Sequence, residues 1–216
     1  MLGDALDLAL AAMAFERAAF RAVLESGEAA RLAYLVLLLG AMMLALSQSV
    51  VLFANRVPPV RFVFALAVAG VQHALAALAY GLAFLVAARG LGVAAEGPGG
   101  VLALVALAWA PFLLAAGAIV PHVGLFWQRL LEAWVAALMV FALAAGLGLG
   151  LGVALAVGLA GWGIGHAGHA LVGPLAGRIS WRLLELATGR RLEAEVDPLA
   201  VLRGHAAAPE SRSGAR

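Results

Sequence analysis

Residues 108–131 read AWAPFLLAAGAIVPHVGLFWQRLL, and this stretch decides which kind of fold the chain can adopt. One long apolar run closes at Pro121-His122, the chain turns, and another apolar run opens. No charged side chain lies between Pro111 and Pro121. Arg129 and Glu132 then follow at i, i+3, a spacing that lets them pair on a helix surface at a membrane boundary. Two apolar runs joined by a proline turn are the sequence of a hairpin of membrane-crossing helices.

The rest of the chain is of the same kind. It is 65% hydrophobic and 12% charged over 216 residues, with a mean hydropathy of +1.03. A soluble domain of this size has no core large enough to hide so much apolar surface, so the chain belongs to the membrane class. There is no cysteine, which excludes disulfides, thiolate nucleophiles and cysteine-based metal sites. Every basic residue is arginine and the net charge is only +2, too small to point to nucleic acid. Asp4 and Asp7 stand where a secretory signal would carry basic residues, which argues against a cleaved leader. The Ala, Gly and Leu bias is that of a GC-rich genome, and the expected location is a bacterial inner membrane, or a thylakoid membrane in a photosynthetic organism.

Working outward, five spans can be laid down at residues 32–54, 62–88, 101–120, 125–145 and 153–172, each long enough for ~30 Å of hydrocarbon at ~1.5 Å per residue. Asn55-Arg56-Val57-Pro58-Pro59 stops the first span, because proline cannot donate a helical hydrogen bond. A Gly/Pro-rich loop at 90–100, with Glu96 inside it, separates the second and third. The run Gly-Leu-Gly-Leu-Gly-Leu-Gly at 146–152 divides an apolar stretch too long for one crossing. Gly173-Pro174 is expected to end the fifth span. Residues 1–31 form an amphipathic leader, in which Leu6, Leu10, Met13, Phe20 and Leu24 oppose Arg17, Arg21, Glu25 and Glu28. It is expected to lie on the membrane or dock on the bundle. Residues 175–216 read as a polar tail with an amphipathic stretch at 179–187, disordered beyond Asp197-Pro198. The expected fold is all-α: a polytopic transmembrane bundle of about five spans with an N-terminal amphipathic helix.

Arginine placement sets four residues (Arg17, Arg21, Arg31, Arg89) on the N-terminal side. Seven (Arg56, Arg61, Arg129, Arg178, Arg182, Arg190, Arg191) lie opposite, which favours a cytoplasmic C-terminus. Without the tail the balance is four against three.

Polar groups at membrane depth are the candidate functional residues: Ser47, Gln48 and Ser49 late in the first span, Gln72 and His73 in the second, His166 and His169 in the fifth. Such groups usually face the bundle interior and bond across helices, for instance Gln48 to Gln72 or His73. Two sharper readings remain open. Gln48, Gln72 and His73 suit a path for a small solute or a proton in a transporter or channel. His73, His166 and His169 suit haem or a metal ion, although no carboxylate lies at similar depth in the spans and no ligand spacing is diagnostic. Residues 165–173, GHAGHALVG, resemble the His-bearing helix of rhomboid proteases. None of the six serines (Ser26, Ser47, Ser49, Ser180, Ser211, Ser213) lies in the GxSG motif that such a histidine needs. No complete catalytic set is present, and neither an enzyme nor a bound cofactor is expected. Gly161-xxx-Gly165, Gly173-xxx-Gly177 and the 146–152 run have small-xxx-small spacing. That favours close packing inside the bundle, with homodimerisation or a membrane-protein partner on a glycine face as the alternative.

A resemblance to a family rests on the opening stretch. Trp109-Ala110-Pro111, the apolar run to Pro121, Gly124 and the later Trp134 resemble the third-to-fourth span region of Yip1-domain proteins, where an aromatic-Ala-Pro start (more often Tyr), a Pro-x-x-Gly turn and a following Trp are typical. Leu46 to Phe53 running into Asn55-Arg56-Val57, with Phe15-Glu16-Arg17 and Ala29-Ala30-Arg31 in the leader, is similar to the prokaryotic branch of that family. The resemblance covers roughly residues 12–175. It implies a five-span bundle without established enzymatic chemistry. Eukaryotic relatives bind Rab GTPases and shape vesicle membranes, so the part that transfers to a prokaryote is a membrane-organising or scaffolding role, with the lipid bilayer as partner. It also implies a cytoplasmic N-terminus, opposite to the arginine count.

Overall fold

The computed structural model describes residues 1–47, 49, 57–93, 97–119 and 123–189. Gln48, Asn55, Arg56, Glu96, Pro121, His122, Arg190, Arg191 and Asp197-Pro198, all used above, lie outside them, as does most of the tail expected to be disordered. The described residues are helical and contain no strand. Five helices are long and apolar enough to cross a membrane. The chain is an all-α, multi-pass integral membrane protein.

Two short helices, α1 (Leu2–Met13) and α2 (Arg17–Glu25), take the place of the single leader helix expected from the sequence. The first span, α3 (Gly27–Ser47), follows after one extended residue, Ser26, whose Oγ accepts a hydrogen bond from the Ala29 amide at 3.4 Å. Ser26 and Glu28 are an N-cap and a first-turn acid, and they start the helix five residues ahead of the apolar run. The second span, α4 (Pro59–Gly90), opens on Pro59, where the missing N–H costs no helical bond.

The third span has two windings. It runs as α5 (Pro98–Ala108) and continues from Ala110 to Ile119 as a 3-10 helix. The change coincides with Pro111, which cannot donate to a carbonyl in the preceding turn. Neighbours hold the tighter winding in place. The Trp127 indole N–H donates to the Leu114 carbonyl at 2.8 Å. Gly40 of α3 sits so close that an added Cβ would lie 3.4 Å from both the Trp109 carbonyl oxygen and Phe112 Cβ. The fourth span is α6 (Gly124–Gly146), and its first residue abuts the Ala118 carbonyl, where only glycine fits.

Residues 147–150 make the turn that the glycine run suggested, with Gly148 at φ +66°. The fifth span, α7 (Leu151–Thr188), departs from expectation. Its 38 residues run on through Pro174, and the first part of the presumed tail is its last turns. A proline inside a helix loses one hydrogen bond, but membrane helices tolerate this where neighbours support the chain. Here α4 supplies the support. Ala65 packs on Ala187 beside Trp181 and Leu184, and the Arg61 guanidinium donates to the Thr188 carbonyl at 2.9 Å. Gly189, at φ +66°, closes the end with its amide on the Glu185 carbonyl at 2.8 Å.

Consecutive spans alternate in direction. The Tyr34 hydroxyl on the Gly99 carbonyl (3.3 Å) ties the start of α3 to the start of α5. The main core lies where α2, α3, α5 and α6 meet, around Phe20, Leu37, Leu104, Leu107, Leu138 and Leu143. One end of the bundle therefore gathers α2, the start of α3 and the 147–150 turn.

Candidate functional site

The break between α1 and α2 builds the most distinctive surface at that end. The Phe15 amide bonds to the Ala12 carbonyl and the Glu16 amide to the Ala11 carbonyl, at 2.9 and 3.0 Å. This is the Schellman closure of a helix, and its left-handed position is normally glycine. Phe15 occupies it at φ +59°, the one non-glycine residue with positive φ among the described residues. A bulky side chain in that region costs about 1–2 kcal/mol. The ring recovers part of this by standing edge-on to Phe141 of α6, with centroids 5.3 Å apart at 85°. Phe20, fully buried one turn into α2, meets the same Phe141 ring at 5.6 Å and 73°.

Pinned by these rings, α2 buries Ala19, Phe20 and Val23 and turns Arg17 and Arg21 outward, one turn apart on the same face. Between the arginines and α6 lies a cleft of about 540 Å³. Its wall is the Ala137, Val140, Phe141 and Ala144 stripe of α6, and Gly148, Leu149 and Leu151 form its rim. No carboxylate lines it, and neither arginine forms an ion pair among the described residues. Chemically, the cleft offers two guanidinium donors beside an apolar channel.

The residues singled out from sequence are placed elsewhere. Trp109 stacks on Phe112 with centroids 4.8 Å apart, and Pro111 is buried beside it. Gly124 makes the close approach described above, and Trp134 is half-buried with its indole N–H unpartnered among the described residues. Arg129 and Glu132 do pair, at 2.8 Å, with Gln128 also donating to Glu132.

Of the cross-helix bonds anticipated, Gln48 to Gln72 or His73 falls on a residue outside the described ones, while His166 of α7 does reach across to Tyr80 of α4. Ser47 donates to the Leu44 carbonyl of its own helix at 2.7 Å, and Ser49 is buried. Gln72 and His73 are half-buried, and the Gln72 amide nitrogen finds no partner among the described residues. His166 and His169, expected to face the interior, are exposed. The reason is that α7 packs mainly on α4 and α6 and leaves most of its circumference without a protein neighbour. His166 Nδ1 lies 3.3 Å from the Tyr80 hydroxyl and 3.1 Å from the Trp162 carbonyl, and its ring lies over Trp162 at 3.9 Å. His73, His166 and His169 do not come together as ligands. Among the described residues no group of three histidines or carboxylates is placed to hold a metal ion.

The glycine pairs split in two. Gly161 and Gly165 receive Phe84 and Tyr80 of α4, so that face is used inside the bundle. Gly177 has nothing near it, and Gly173 has only His169 of its own helix.

Sequence reading had counted Arg17 and Arg21 as the polar side of a leader helix. The signal missed was the pair Phe15 and Phe20 alternating with them along the chain, which gains meaning only with Phe141 between the two rings. No family model, curated protein or solved structure matches the chain.

Proposed function

We propose that the protein is a non-catalytic scaffold of the Yip1 type, organising a bacterial inner membrane through the surface that α1 and α2 present. The observation that carries this reading is how the two helices are built in. Ala5 and Ala9 of α1 pack on Val36 and Ala110, well inside the bundle, while Phe20 and Val23 of α2 belong to the main core. A leader that only rested on the membrane would stay separate from the bundle. Here α1 turns alanines inward and Leu2, Leu6 and Leu10 outward, so a fixed apolar surface faces lipid or a membrane partner. The outer faces of α4 and α7 also expose Val63, Phe64, Leu75, Leu171 and Leu175, as lipid-facing spans do.

Photo-crosslinking from positions 6 and 10 of the full chain in native membranes tests the reading. A discrete protein or lipid adduct at both positions, with altered membrane morphology when the gene is deleted, is the expected result. Diffuse labelling together with unchanged morphology would sink it.

The transport reading retains one observation, the Gln72 amide nitrogen, which has no partner among the described residues. Solute flux in proteoliposomes that is abolished by His73→Ala would favour it over the scaffold.

A further inference from the structure

We propose that the cleft between α2 and α6 is a binding site for one anionic phospholipid. Its phosphate sits on Arg17 and Arg21, and an acyl chain lies along Ala137, Phe141 and Ala144. Three independent observations converge on this occupant.

The first is charge. Arg17 and Arg21 stand one turn apart on the same face, with no carboxylate in the cleft and no ion pair to either among the described residues. The acids nearest in sequence, Glu16 and Glu25, are exposed and do not line it. Arginine's planar fork suits a phosphate, and two forks at i, i+4 can grip one from both sides.

The second is shape. Residues 137, 141, 144 and 148 of the chain fall on one side of α6 and its exit turn. Three of the four are Ala or Gly, so they leave a furrow running about 16 Å from the turn toward the middle of the span. A free phosphate ion has no use for such a furrow, whereas a lipid tail does.

The third is position. The arginines sit at the end of the bundle where α6 closes into the 147–150 turn, the end that a crossing helix presents to lipid headgroups, and the furrow runs from there along α6 toward the middle of the span. The left-handed Phe15 gives the arrangement its rigidity: it sets the angle at which α2 leaves α1 and fixes the Phe141 ring that forms the cleft wall.

The site requires only that the chain lie in a bilayer, so it stands apart from the scaffold reading. A protein that binds the lipid yet organises nothing, or the reverse, would separate the two.

Native mass spectrometry of the full-length protein released from detergent micelles tests the proposal, with phosphatidylglycerol, phosphatidylcholine and inorganic phosphate as separate probes. The expected result is a single phosphatidylglycerol adduct, at least ten-fold favoured over phosphatidylcholine. Arg17→Gln/Arg21→Gln should weaken it about twenty- to thirty-fold, from roughly five-fold per arginine near an anionic headgroup. Ala144→Phe, which fills the furrow without touching the charges, should weaken the lipid and leave phosphate unaffected. Arg31→Gln/Arg89→Gln, which removes two exposed arginines from the same end of the bundle, should change nothing. Equal binding of phosphatidylcholine, or equal loss in the two double variants, would overturn the site. Phosphate bound as tightly as the lipid would overturn the lipid assignment.

Discussion

The third and fifth spans are both uncharged through their apolar stretches and both contain an internal proline, yet the protein uses them in opposite ways. In the most apolar window of residues 98–119, 56% of positions are buried inside the bundle; for α7 the share is 22%. At Pro111 the chain leaves the α-helix for a 3-10 winding, while at Pro174 it stays α-helical to Thr188. The difference lies in the surroundings. Pro111 is enclosed by α3 and α6, which contact the rewound backbone through Gly40 and Trp127. Pro174 lies on an exposed stretch of a helix whose two ends are anchored, by Gly161 and Gly165 on α4 before it and by Arg61 after it. Apolar composition qualifies a helix to cross the membrane; small residues and fixed donors on the neighbours decide which crossing becomes the core.

The largest expected effect is on the enclosed span. Leu107, which has no exposed surface, should cost about 2–4 kcal/mol when replaced by alanine, since the cavity cannot refill with lipid. Leu171→Ala, at a residue 83% exposed, should stay within about 0.5 kcal/mol. Thermal unfolding of the two variants in one detergent compares them directly, and equal losses would erase the distinction between core and peripheral spans.

A smaller effect separates the two halves of α7. Gly165→Leu forces a side chain into the Tyr80 ring and should destabilise by about 1–3 kcal/mol. Gly177→Leu meets open space and should be neutral. If Gly177→Leu proved the more harmful in the same assay, the second glycine pair would be an interface between molecules.

The smallest expected effect is at the far end. Arg61→Ala removes the donor on the Thr188 carbonyl and should weaken the last turn of α7 by about 0.3–1 kcal/mol. Faster amide exchange confined to residues 184–189, with the unfolding temperature nearly unchanged, is the reading that supports a local cap.

The contrast also shows which parts of the structure were legible in the chain. The five crossings were readable because each needs only a long apolar run, and the turn at 147–150 because length forbade a single helix. Three features were not. The end of α1 carries Phe15 where a helix stop is ordinarily glycine, so the leader read as one helix instead of two. The rule that Gly-Pro ends a helix failed at Pro174, because the support comes from Arg61 and Ala65, more than a hundred residues away. His166 and His169 were expected inside because they are polar, but burial in α7 is set by how little of it any neighbour covers. The candidate site followed the same pattern. Arg17 and Arg21 were visible as a charged face, and their cleft was not, because its other wall comes from α6.

The 3-10 winding of residues 110–119 has a consequence for membrane thickness. Ten residues at ~2.0 Å rise cover ~20 Å, against ~15 Å as α-helix, so the third span gains about 5 Å of reach without an added residue. A 22-residue segment thereby extends about 38 Å, more than the usual hydrocarbon depth. Rewinding this segment as α-helix would take back those ~5 Å, so the third span holds a length reserve against hydrophobic mismatch that needs no change of tilt.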